Sequence, residues 1–431
     1  MLGICLVLVA GVGVIFGRNI LTSHDTTPAE AYDWSRDKVY DTLAKGLKDK
    51  DEAEFLRPFE GEQAKDRAQK LYRNLVKVPF KQARFEDLAA GGQGGMPVAF
   101  VHQIEGIDVA PVYEQYTFTF AQKPSHEQYI TGFEGATEPF QGLPGTFYPA
   151  PWDVYEDMTV VRQGRVLIVA DRKHQEDTER FAPYISRAAD EDVQAWERSG
   201  ADQTQVSKGA VIVLEPEREV YEKFYRGPDD HDSLEAGANM ALPKHQAKYE
   251  DKVQYGGSRI VMDSSLSRFT SPSWREGVAE ISRHEIGHAM VAPYNSARGA
   301  LPVYPDAWVS EGFAGYMEAR ADPKKARRDA LWSLRGHPFG SWYRPQDDVE
   351  AFYDKDAKER HANYVFSRLT FQYMARKYGE EATFGFVAAE YADPVKQREH
   401  FRKYLGVSRS DFWDAWYRFV LSEIPGMRLS D

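Results

Sequence analysis

Apolar positions recur at three- and four-residue steps once the chain becomes polar: Trp34, Val39, Leu43 and Leu47 form one helical stripe within 29–59, and Phe55 and Leu56 open a second element. Leu71, Leu75 and Val76 predict a further helix. The period then changes to two, with Tyr116, Phe118 and Phe120 alternating against Thr117 and Thr119, the mark of a half-buried strand. A turn-rich stretch around Gly142, Pro144, Gly145, Pro149 and Pro151 follows. Two apolar runs at 159–161 and 166–170 flank Gln163-Gly164 and predict a hairpin. Near Arg172 the pattern becomes strongly polar, and an amphipathic helix carries Phe181, Tyr184, Ile185 and Trp196. Beyond it lie an apolar run at 210–214, a polar loop at 227–239 and a short strand at 259–262. Helical periodicity dominates from there to the C-terminus.

These elements predict an α+β chain. A first region, 27–171, reads as helices followed by antiparallel strands, an order that resembles the cone of the nuclear-transport-factor-2-like superfamily. A second region, 172–431, has a mostly helical C-terminal half. Two regions also suit the length, because 431 residues exceed the size at which a single core usually keeps growing. Ahead of both, residues 1–17 carry no charge and Arg18 ends the run. Residues 1–21 are therefore expected to be a signal peptide or membrane anchor, and either implies export, with the body anchored outside the cytoplasm or secreted. No small-x-small cleavage site follows, which favours an anchor in the form of a transmembrane helix. The missing basic stretch in front of it removes the usual orientation cue and raises the expectation of a start farther upstream.

Charge and cysteine content narrow the chemistry. The 54 Lys and Arg against 66 Asp and Glu leave a net charge of −12, which repels phosphate backbones and excludes nucleic acid as an expected partner. Cys5 is the single cysteine, so no intramolecular disulfide or cysteine-based zinc site can form. A metal in this chain must be held by histidines and carboxylates.

Such a set is present. His284-Glu285-Ile286-Gly287-His288 lies in a helix predicted over about 274–291. Histidines four apart share one helix face and can reach one ion, while Glu285 projects toward the water that ion would bind. Catalytic zinc needs a third protein ligand and an open position. Asp306-Ala307-Trp308-Val309-Ser310-Glu311-Gly312-Phe313-Ala314 begins 18 positions after His288, opens a second helix with Asp306 or Ser310 as cap, and offers Glu311.

The pair of motifs, His-Glu-x-x-His and Trp-x-x-Glu-Gly-Phe-Ala, is similar to the gluzincin zinc metallopeptidases, and most of all to their peptidase MA-like branch in exported bacterial proteins. The resemblance extends over roughly 172–420, taking in Tyr364-Val365-Phe366, Lys377-Tyr378-Gly379 and Tyr404-Leu405-Gly406-Val407-Ser408. It implies a zincin-like domain in which His284, His288 and Glu311 hold Zn2+. Glu285 is then the general base that activates water for hydrolysis of a peptide bond in a peptide or protein substrate. An alternative from another class is a catalytically silent cell-envelope binding protein on a zincin scaffold, although a scaffold has no need of Glu285.

Spacing suggests supporting roles for several residues, and the resemblance implies one for a tyrosine. Glu318, two turns beyond Glu311, is placed to accept the free N–H of a ligand histidine. Tyr364 is the first choice for a hydroxyl that helps bind the oxyanion, with Tyr353 and Tyr316 as rivals. Gly312 and Gly315 allow close helix packing. The strand at 259–262 reads either as the sheet edge that pairs with an extended peptide or as an inner strand. His337, His361 and His400 fall outside ligand spacing, and the basic run at 324–328 reads as a solvated face. The Gly-x-Met-Glu-Asn strand of the aminopeptidase branch is absent, which argues against an aminopeptidase.

Overall fold

The computed structural model describes residues 34–88, 95–135, 149–225, 236–246, 252–298, 301–353 and 356–429. Among these, no helix is long and apolar enough to cross a membrane. That corrects the expectation of a transmembrane helix: the long described helices, such as Gln175–Ser199 and Ala357–Tyr378, are interrupted throughout by charged residues. The apolar segment 1–21, on which the expectation rested, lies outside the described residues.

The described residues open with three helices, α1 (Trp34–Asp49), α2 (Glu52–Leu56) and α3 (Glu62–Leu75). Their stripes, Val39, Leu43, Phe55, Leu71 and Leu75, are buried. They pack on an antiparallel meander, β1 (Phe80–Asp87), β2 (Met96–Ile104), β3 (Val112–Gln122) and β4 (Gln128–Gly135), whose strands lie side by side in chain order. Val98, Phe100, Tyr116 and Phe118 point from the meander into this core. The alternation read at Tyr116 and Phe118 is the inward face of β3.

After the short helix α4 (Pro151–Val154), the chain builds a seven-stranded mixed sheet. It is opened by a hairpin of β5 (Met158–Gln163) and β6 (Val166–Asp171), turning at Gly164 with φ +55°. The 25-residue helix α5 (Gln175–Ser199) follows, stopped by Gly200 in the left-handed conformation. Next come β7 (Ala210–Glu215), the helix α6 (Arg218–Tyr225), β8 (Gly237–Pro243) and the long β9 (Lys252–Asp263). β6, β7 and β9 run parallel, and β8 runs antiparallel to β9.

The sequence assigns the β5–β6 hairpin to the first region, but in the structure it pairs within this larger sheet. The reason is compositional. Residues 166–170 are apolar at every position and buried, so the strand needs cover on both faces, which a sheet edge facing solvent cannot give. One face, through Val166, Ile168, Ile212, Leu214, Ile260 and Met262, packs against α5 and the helices beyond. The other, through Leu167, Val169, Val211, Val213 and Val261, packs into the core of the first region.

The remaining chain is largely helical. The elements that matter for the site are α7 (Ser267–Thr270), α8 (Trp274–Val291), two three-residue strands β10 (Ser296–Arg298) and β11 (Leu301–Val303), and α9 (Ala307–Ala319). They are followed by α10 (Pro323–Ser333), α11 (Val349–Tyr353) and α12 (Ala357–Tyr378). α8 lies on the helical face of the sheet, α9 crosses α8, and α12 backs α9.

Candidate metal centre

Small residues bring these three helices together. A Cβ added at Gly287 of α8 would stand 3.3 Å from the Cα of Ala314 in α9, and one at Gly312 of α9 would stand 2.7 Å from the carbonyl oxygen of Ser367 in α12. Glycine at Gly312 therefore permits a helix approach that alanine would block. α9 starts at Asp306, one of the two expected caps, yet its carboxylate accepts a hydrogen bond from Gln397 Nε2 at 2.6 Å and not from its own first turn. Ser310 lies inside that turn and donates to the Ala307 carbonyl.

The approach of α8 and α9 gathers three donors. His284 Nε2 is 3.2 Å from Glu311 Oε2, His288 Nε2 is 3.3 Å from His284 Nε2, and His288 Nε2 is 3.6 Å from Glu311 Oε1. Among the described residues, these three are the group of His, Cys, Asp and Glu side chains placed to hold a metal ion, one ligand atom of each lying within 4.8 Å of the others. Ligand atoms about 2.1 Å from a tetrahedral ion are about 3.4 Å apart. The observed separations suit a tetrahedrally held metal ion with nitrogen and oxygen ligands and no thiolate.

The surroundings favour a cation there. Burial disfavours a charged His284, but hydrogen bonding to Glu311 and Glu318 and the nearby carboxylates outweigh it and hold the imidazole up at about 10. Burial opposes ionisation of Glu311 too, and His288 and His284 overcome it, keeping its carboxyl well below the usual range. Glu285 is 5% exposed, and burial raises its carboxyl above the ordinary value. Two imidazoles and three carboxylates thus share one water-poor site.

Glu318 takes the position expected of it, with Oε2 3.5 Å from His284 Nδ1, the nitrogen turned away from the donor cluster. Removing a carboxylate that orients a metal-bound histidine typically weakens metal binding about 10- to 100-fold. Glu318→Ala is expected to do so here, measured by zinc competition against a chromophoric chelator. Unchanged affinity would exclude this role.

The tyrosines are distributed differently from the expectation. Tyr353, at the end of α11, donates from its hydroxyl to Glu311 Oε1 at 2.7 Å. Tyr364, on α12, sets its ring 6.2 Å from those of His284 and Tyr353 and 5.1 Å from Phe352. Tyr316 faces away, donating to Glu380. The rim of the site therefore carries Tyr353 and Tyr364 together, with Tyr353 the one in contact with a donor. His337, His361 and His400 pair elsewhere, with Glu359, Ser333 and Glu390.

The strand at 259–262 belongs to β9 and is interior, flanked by β7 and β8. The strand beside the zinc-motif helix is β8, which the sequence reading missed. Just beyond its end, Lys244 forms an antiparallel bridge with Val112 of β3. The first residue of β8, Gly237, lies against Glu285.

The chain matches no protein-family model and no curated protein. Among solved structures, it is similar to the M1 zinc metallopeptidase of Deinococcus radiodurans, with 12% identity and a TM-score of 0.34 over 78% of this chain. It is similar also to a two-domain M1 zinc metallopeptidase variant bound to L-arginine, with 11% identity and a TM-score of 0.33 over 70% of this chain. In both cases the match spans 60% of the other chain's length.

Proposed function

We propose that the chain is a zinc-dependent peptidase that hydrolyses peptide bonds. The observation that carries this reading is the convergence of His284, His288 and Glu311 with a buried Glu285 beside them. His284, His288 and Glu311 would hold the ion and leave one position open. When bound, zinc polarises the peptide carbonyl and acidifies the attacking water.

The residues of the chain do the rest. Glu285 takes a proton from the water as its oxygen adds to the carbonyl carbon, and returns that proton to the amine nitrogen as the C–N bond breaks. Burial raises its proton affinity toward the level that suits both transfers. Glu318 fixes the tautomer of His284. Tyr364, whose ring lies 6.2 Å from that of His284, would offer its hydroxyl to the oxyanion, while Tyr353 donates its hydroxyl proton to Glu311 and would steady that ligand. An extended substrate would lie along the outer side of β8 at Gly237–Met240, held by backbone hydrogen bonds and presenting its scissile carbonyl to the donor cluster.

The test is cleavage of an unstructured protein by the purified chain, with and without a zinc chelator, read by mass spectrometry of the fragments. Fragmentation that stops on chelation and returns with zinc is the expected result. A zinc-loaded protein that leaves a broad peptide library intact would overturn the reading in favour of a binding protein on this scaffold.

A further inference from the structure

Gly237 opens β8 in antiparallel register with Met262. A Cβ built on it would stand 2.7 Å from Cδ and from Oε1 of Glu285 and 2.8 Å from Cγ, closer than real Cβ atoms come to any heavy atom. The three nearest atoms all belong to that one carboxylate side chain. The backbone does not itself call for glycine, because Gly237 lies outside the left-handed region that L side chains avoid. What glycine supplies at 237 is the missing side chain over Glu285.

Neither partner has room to withdraw. The Asp263 N–H donates to the Ala236 carbonyl at 2.9 Å and pins the start of β8. On the other side Ile286 and Gly287 are buried in the contact between α8 and its neighbours. With strand and helix both fixed, the group that moves under a new side chain is the end of Glu285, which turns about its own side-chain bonds at small cost.

We infer that Gly237 is a positioning residue for the reaction: by leaving space above α8, it sets where the Glu285 carboxylate stands relative to the donor cluster. The inference rests on the peptidase reading, and deepens it by tying the edge strand to the base as well as to substrate. A side chain at 237 swings the carboxylate off the attacking water. A displacement of about 1 Å at a reacting group costs on the order of a hundredfold in rate.

The experiment compares wild type, Gly237→Ala, Glu285→Asp and the double variant, each loaded with zinc and checked for zinc content. Aspartate is one methylene shorter, so it withdraws the atoms that an alanine at 237 would meet. Gly237→Ala alone is expected to lower kcat/KM about a hundredfold, through kcat and with zinc retained. In the Glu285→Asp background the same substitution is expected to cost less than about threefold, the non-additivity of residues in contact. Crystal structures of zinc-loaded wild type and Gly237→Ala should show the carboxylate displaced by about 1 Å or more with β8 unmoved.

A full hundredfold loss in both backgrounds would mean that Gly237 acts through the strand, and would overturn the inference. So would an unmoved carboxylate or an undiminished rate. Should Gly237→Ala alone fold poorly, the double variant, which has room for the methyl group, carries the comparison against Glu285→Asp. If wild type cleaves nothing, the peptidase reading falls, and the two crystal structures still decide whether Gly237 sets the position of Glu285.

Discussion

Replacing Glu285 by glutamine is expected to leave one zinc per chain in place and to lower peptide hydrolysis roughly a hundred- to ten-thousand-fold. The amide keeps the volume of the buried side chain, so the packing against Gly237 and the approach of α8 and α9 are preserved. It lacks the basic oxygen that takes a proton from water. Glu285 is not one of the three converging donors, which is why the metal should stay. The measurement is zinc content by atomic emission beside steady-state kinetics on the same preparation. Zinc loss in the variant would make Glu285 a ligand, and an undiminished rate would remove it from the mechanism.

Alanine at His284 or at His288 is expected to empty the site. Losing a ligand should cost more than the roughly 10- to 100-fold attached to an orienting neighbour, so zinc content should fall from about one per chain to near none, and hydrolysis with it. The sign of the pH dependence follows from the metal-free site. His284 is held up at about 10 by Glu311 and Glu318, so without metal it carries a proton at neutral pH. A ligand imidazole must be neutral. Zinc binding therefore releases about one proton, and affinity rises with pH by about tenfold per unit up to that value. Calorimetric titration in two buffers of different ionisation enthalpy gives the proton count directly. Zinc retained by both alanine variants, or binding without proton release, would contradict the assignment.

The convergence of the donors is legible in the sequence because it depends on local geometry. A spacing of four positions from His284 to His288 places them on one helix face whatever the rest of the fold does. Glu311 is reached through a motif that also supplies Gly312 and, three positions later, Gly315, and these small residues mark the helix as one that is approached closely. What escapes the sequence depends on pairings made over long distances. Tyr353 meets Glu311 across 42 positions, from a five-residue helix with no pattern of its own. The strand whose first residue lies against Glu285 is β8 and not β9, because strand order in a sheet is decided by topology and leaves no trace in either strand's alternation. The Asp306 carboxylate reads as a helix cap, yet Gln397, 91 positions later, takes it.

The two-faced sheet has a consequence for how this chain is held together. Leu167, Val169, Val211, Val213 and Val261 are covered by the first region, and the strands that carry them also face the helices of the metal centre. Each such side chain contributes about 1.5–3 kcal/mol only while it stays covered. The first region is therefore half of the wall on which the chemistry would stand, so the two regions are expected to melt in a single transition in calorimetry. A break in the helices around Phe55 or Leu71, more than 200 positions before His284, would reach the donor cluster through the loss of a shared wall.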